Sequence, residues 1–133
     1  MHKLEIGSDL KFMPDVEGLI DNVCSDYELN EDHYGNILIA VTEAVNNAII
    51  HGNLNDEDKK VKLEVVKNND QVVFTIIDEG KGFDFTNLPD PTAPENIEKP
   101  DGRGIFLMKN LSDDVSFELN GSKVSITFVA GNG

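Results

Sequence analysis

The chain has 133 residues, with 25 acidic against 11 basic side chains and a formal charge of −14. One compact domain of this size buries roughly two-thirds of the surface its unfolded chain exposes, and a 39% apolar fraction gathered in periodic blocks excludes a disordered acidic chain. The acidity argues against nucleic acid and anionic membrane surfaces as partners, no apolar run approaches the roughly 20 residues of a membrane span, no signal peptide opens the chain, and the lone Cys24 forms no internal disulfide.

The predicted elements follow in chain order. Leu4 and Ile6 alternate with Lys3 and Glu5, as in a short edge strand. From Pro14 to about Leu29, Val16, Leu19, Ile20 and Val23 recur at helical spacing. Asn30 is the expected N-cap of a second helix, with Glu31 and Asp32 in its first turn. That helix is expected to reach about His51 and stop at Gly52-Asn53. Val61, Leu63 and Val65, then Val73, Thr75 and Ile77, predict a hairpin around Asn68-Asn69-Asp70. The stretch 80–104 is rich in turn residues, Ile105–Leu111 reads as a short helix, and Val115–Leu119 and Val124–Val129 read as a hairpin around Asn120-Gly121. No repeat or linker interrupts this order, so one α+β domain over 1–133 is expected, helices covering one face of a mixed sheet.

Charge is unevenly spread. Residues 1–34 hold nine acids and two bases, whereas 80–109 hold five acids and four bases. That near-neutral block also holds four of the eleven glycines and four of the five prolines. It is either a solvated loop that carries lysines or a local anion site.

Within the second helix, Ile37, Leu38, Val41, Ala44, Val45 and Ala48 form the expected core stripe. Glu43, Asn47 and His51 stand at i, i+4 and i+8, one row on another face. The row is either a solvated stripe or the wall of a cleft, where a carboxylate serves as general base and an amide oxygen as a hard ligand for Mg²⁺. His51 reads as a structural hydrogen-bonding residue, because no second histidine lies near it. Asp78-Glu79-Gly80-Lys81-Gly82 follows the expected strand at 72–77. Glycines there let backbone approach a planar ligand, and the acid can accept a hydrogen bond from an exocyclic amine. Gly102-Arg103-Gly104 opens the next helix, where free N–H groups favour phosphate, with Arg103 and Lys109 as countercharge. The proline-rich stretch between, about 83–101, has the length of an active-site lid. Taken alone, each motif also fits an ordinary turn or surface loop.

Their order is more specific. A Glu-x-x-x-Asn helix, a strand ending Asp-x-Gly-x-Gly, a lid and Gly-x-Gly at a helix start resemble the Bergerat-fold ATPases over nearly the whole chain. Within that superfamily, Glu43-Ala44-Val45-Asn46-Asn47-Ala48-Ile49-Ile50-His51-Gly52-Asn53, Asp78-Glu79-Gly80-Lys81-Gly82-Phe83-Asp84 and Gly102-Arg103-Gly104-Ile105-Phe106-Leu107-Met108 look most like the anti-sigma-factor serine/threonine kinases. The resemblance implies a two-layer α/β sandwich that binds ATP or ADP with Mg²⁺. It implies Asn47 as the Mg²⁺ ligand, Glu43 as general base and Asp78 on the adenine amine. Gly80 and Gly82 would shape the adenine pocket, and Gly102, Arg103 and Gly104 would touch phosphates. It implies a sigma factor as one partner, and as substrate an anti-sigma-factor antagonist phosphorylated on serine or threonine. A cytoplasmic homodimer is expected. The departure is Pro100-Asp101, where an acid precedes Gly102 and relatives often carry a basic or hydroxyl residue. It motivates a second reading, an ATP-loaded module that sequesters a regulator without phosphoryl transfer. A detached histidine-kinase catalytic domain ranks lower, because none of His2, His33 or His51 sits on a dimerisation helix pair.

Overall fold

Alternating apolar positions build the sheet. β1 (His2–Gly7), β2 (Lys60–Asn68), β3 (Gln71–Ile77), β4 (Asp114–Glu118) and β5 (Lys123–Val129) run in the order β1-β2-β3-β5-β4. Every described pairing is antiparallel. This computed structural model describes residues 2–80, 100–119 and 122–129, with 100–103 by backbone alone. The expected lid up to residue 99, Gly82 and the Asn120-Gly121 turn lie outside the described residues.

Val72, Phe74 and Ile76 of β3 face Phe128, Ile126 and Val124 of β5 across the ladder, and all six are buried. Phe74 and Phe128 meet edge to face at 5.9 Å between ring centres, a favoured aromatic geometry. The intervening Val73, Thr75 and Ile77 point to the opposite face and are only half-buried, as the period-2 pleat dictates. The β2–β3 turn closes on the pair Asn68–Gln71, with Asn69 at φ 57°, a conformation asparagine tolerates.

The buried sheet face carries α1 (Met13–Asp26), α2 (Glu31–Asn47) and α3 (Pro100–Leu111). Pro14 stands in the first turn of α1, where its missing N–H costs nothing. The helix ends at Asp26, earlier than its apolar pattern suggests. Glu28 turns left-handed at φ 54°, and Leu29 N–H returns to the Cys24 carbonyl at 2.9 Å, a Schellman-type stop made without glycine. Asn30 caps α2 as expected, its side chain accepting from His33 N–H at 3.0 Å.

Two further helix boundaries differ from expectation, and both matter below. α2 ends at Asn47 and gives way to a π-turn, Ala48–Gly52, in which Asn53 N–H reaches back five residues to the Ala48 carbonyl at 2.8 Å. The wider turn shifts His51 and Gly52 relative to the α-helical row. α3 starts at Pro100 rather than Ile105. Proline sets the φ of a first helical residue and lacks the N–H that would be unpaired there, so Gly102-Arg103-Gly104 lies inside the first turns instead of ahead of them.

Candidate functional site

Three described segments converge beside the sheet: the end of α2 with its π-turn, the residues after β3, and the start of α3. On α2, Glu43 and Asn47 project from one face, both half-buried. α3 packs along α2, and Gly104 brings its backbone close to this row. A Cβ at Gly104 would lie 2.8 Å from Asn47 Nδ2 and 3.2 Å from Glu43 Oε2. Only a residue without a side chain brings the α3 backbone this near both polar groups.

Asn47 and His51 of this row line a cleft, whereas Glu43, one turn before Asn47, is not part of its wall. Both Asn47 Oδ1 and Nδ2 are buried, and neither has a hydrogen-bond partner among the described residues. An orphaned buried amide costs about 1–3 kcal/mol. Sites that carry such a cost are matched to a ligand, and an oxygen of this kind suits a hard cation. Among the described residues no cluster of three histidine, cysteine or acidic side chains could hold a metal ion.

Opposite this row, Asp78 follows the last residue of β3. Its backbone N–H donates to the Ser122 carbonyl at 2.9 Å, and its Oδ1 accepts from Gly80 N–H at 2.8 Å. Burial raises the pKa of its carboxyl above the usual aspartate value; the Gly80 N–H and the charge of Lys59 pull it part of the way back. Asp78 fits into the chain because Gly52 has no side chain. A Cβ on Gly52 would collide with the Asp78 carboxylate, and one on Gly80 would collide with the Gly52 carbonyl. The π-turn and the Asp-x-Gly segment are thus interlocked backbone to backbone.

Asn47, His51, Gly52, Ile76, Asp78, Met108 and Ser122 line a cleft open to solvent, and Ala44, Ala48, Ile105, Phe117 and Val124 complete its largely apolar wall. Apolar walls with a few convergent polar groups suit a small planar ligand. The cleft thus joins four expected site residues or their immediate neighbours: Asn47 and Asp78 line it, Glu43 lies one turn from Asn47, and Gly104 packs on both. Gly80 contacts the cleft wall through Gly52. Gly102 and Arg103 sit in the first turn of α3, whose leading N–H groups have no intrahelical partner. Gly82 lies outside the described residues.

Sequence reasoning treated Gly52 and Asn53 only as a helix stop. Asn53 is fully buried and belongs to the site's frame. A buried asparagine straight after a helix-stop glycine was the available signal, but burial is not visible in one sequence.

Two comparisons bear on this geometry. Residues 8–128 match the family model described as the histidine kinase-like ATPase domain. The chain belongs to the histidine kinase-like ATPase domain family. The α+β sheet-and-helix layout agrees with that fold, and an ATPase domain of this family implies a nucleotide site, for which the cleft is the described candidate. Among curated relatives, the chain is 38% identical to an anti-sigma F factor of Clostridium beijerinckii over 102 residues, 71% of this chain and 70% of that protein. It is 38% identical to the anti-sigma F factor of Bacillus subtilis over 91 residues, 65% of this chain and 61% of that protein. It is 29% identical to the serine-protein kinase RsbW of Oceanobacillus iheyensis over 106 residues, 75% of this chain and 65% of that protein. The matches thus span about three-fifths to seven-tenths of these relatives' lengths. No described helix of this histidine kinase-like domain is long and apolar enough to cross a membrane.

Proposed function

We propose that this chain is an ATP-binding anti-sigma factor that phosphorylates a serine or threonine of an antagonist protein, and so releases itself to hold a sigma factor. The observation that carries the reading is the buried amide of Asn47, without a hydrogen-bond partner among the described residues, packed under Gly104 and across the cleft from Asp78. Asp78 would take the exocyclic amine of adenine, since Gly80 N–H uses only part of its carboxylate's acceptor capacity. Asn47 would hold Mg²⁺, and the free N–H groups at the start of α3, Gly102 among them, would meet phosphate oxygens together with Arg103 and Gly104. Bound there, Mg²⁺ supplies charge neutralisation to a transferring phosphoryl group. Glu43, one turn before Asn47, would accept the proton of the attacking hydroxyl. The acid at Asp101 has an ordinary structural role in this reading, because the first turn of a helix favours negative charge. The sigma factor and the antagonist are the proposed partners, a homodimer the proposed state, and the cytoplasm the proposed compartment. The net charge of −14 disfavours direct DNA contact.

Incubation with Mg-ATP and the antagonist encoded beside its gene should label the antagonist, and Glu43→Ala should abolish the label while nucleotide still binds. Nucleotide binding without labelling by the wild-type chain rejects the kinase and leaves the sequestering module. Mg-ATP or ADP should also raise the melting temperature, by the equivalent of about 2–3 kcal/mol near 100 Kd, and Asp78→Asn should remove most of that shift. A melting point indifferent to nucleotide would sink the site assignment.

A further inference from the structure

We propose that Asn53 is a positioning residue for the nucleotide cleft, acting on base recognition through Asp78. The inference rests on the nucleotide reading above. Asn53 has no exposed surface, and every polar atom of its side chain is used. Its Nδ2 donates to Ser8 Oγ at 2.8 Å and to the Lys60 carbonyl at 3.0 Å. Its Oδ1 accepts from Glu79 N–H at 2.7 Å. The amide cannot be turned over: the Lys60 carbonyl can only accept and the Glu79 N–H can only donate.

The bonds form a closed ring. Lys60 N–H donates to the Glu79 carboxylate, Glu79 N–H donates to Asn53, and Asn53 donates back to Lys60. The ring grips the peptide that joins Asp78 to Glu79, directly after the residue whose carboxylate faces the cleft. The preceding residue, Gly52, abuts that same carboxylate. Displacing Asn53 therefore frees the peptide after Asp78 and the glycine beside it together. Buried, fully satisfied polar networks fix one geometry where apolar packing tolerates several. Hydrogen-bonding supports of this kind act on a site through the group they orient. Asn53 also reaches Ser8, which donates on to the Lys59 carbonyl at 2.7 Å. That far arm supports the fold without touching Asp78 and so serves as the control.

The test is titration of the full chain with Mg-ATP and with Mg-GTP, alongside melting temperatures. The variants are Asn53→Ala, Ser8→Ala, Asp78→Asn and the Asn53→Ala/Asp78→Asn pair. Asn53→Ala should weaken ATP binding about tenfold or more and narrow the preference for ATP over GTP. The double variant should bind ATP no more weakly than Asp78→Asn alone, because residues that act through one another are not additive. Ser8→Ala should lower the melting temperature with ATP affinity unchanged within about twofold. Additive losses in the pair, or wild-type ATP preference in Asn53→Ala, overturn the proposal and leave Asn53 a purely structural residue. If Asn53→Ala does not fold, Asn53→Asp decides. It keeps the acceptor for Glu79 N–H, so it should retain the ATP preference despite lower stability; loss of that preference to the Asp78→Asn level overturns the proposal. A wild-type chain blind to nucleotide overturns the cleft reading and this inference together. Binding that depends on Asp78 but not on Asn53 overturns this inference alone.

Discussion

Glycines that look alike in the sequence do different work. A Cβ at Gly80 would strike backbone, the Gly52 carbonyl, whereas one at Gly104 would meet only the ends of Asn47 and Glu43. Backbone cannot step aside as a side chain can. Gly80→Ala should therefore destabilise the protein by about 1–3 kcal/mol or more, readable by urea denaturation. Gly104→Ala should leave stability within about 1 kcal/mol, helped by alanine's better helix propensity, yet sharply reduce phosphoryl transfer by displacing both polar groups. Equal stability losses in the two variants would contradict this contrast. Asp78 offers a pH test. Burial raises its pKa in the folded chain, so the folded state holds the proton more tightly than the unfolded one. The favourable term is complete below the unfolded aspartate range and is lost as pH rises through the folded value. Ligand-free Asp78→Asn should thus melt higher than wild type at pH 7, with the gap closing as pH falls into the carboxylate range. That Asn47 and Asp78 meet at one cleft, with Glu43 and Gly104 beside Asn47, was legible through the order of the motifs and the resemblance it carries. Asn53 was not, because its role depends on Ser8, Lys60 and Glu79, which meet only in the fold.

Helices and strands were read most securely where a periodic apolar face decides the matter. The core stripe of α2 and the alternation in β2, β3 and β5 are of this kind. Ends were read less well, since local backbone devices decide them. The stop of α1 uses Glu28 in a left-handed conformation, with no glycine to announce it. Glu28→Gly should remove that strain and raise stability by about 0.5–1 kcal/mol, seen as a melting temperature higher by a few degrees. No gain, or a loss, would mean that glycine's greater unfolded-state freedom outweighs the relieved strain. The π-turn after Asn47 was invisible for a related reason. Its sequence suits an α-helix, and the widened turn is set by Asn53 and Gly52 packing against the segment after β3. The start of α3 at Pro100 was hidden by two glycines that read as loop, although Pro100 and Asp101 are good first-turn residues.

The described residues carry their charge with little internal compensation. The described ion pairs, His2–Asp26 at 2.9 Å, Lys11–Glu57 at 3.4 Å and Lys123–Glu118 at 3.8 Å, each have an exposed acid and contribute little. Self-repulsion should therefore weaken the compact state at low ionic strength. Raising salt from about 20 to 200 mM shortens the Debye length to below about 10 Å and should raise the melting temperature by a few degrees; a flat or falling dependence would mean that local pairs outweigh the net charge. The sequence's near-neutral block, residues 80–109, is consistent with this arrangement, since its described parts, Gly80 and α3, flank the cleft.

The ring that joins Asn53, Lys60 and Glu79 closes on protein groups alone. The backbone beside Asp78 has therefore already given up its conformational freedom on folding. Whatever occupies that end of the cleft meets a rigid wall, and no further ordering of residues 78–80 accompanies its arrival. In a calorimeter, adenosine should then bind with little unfavourable entropy from this loop, its association limited by collision and orientation rather than by the loop's rearrangement.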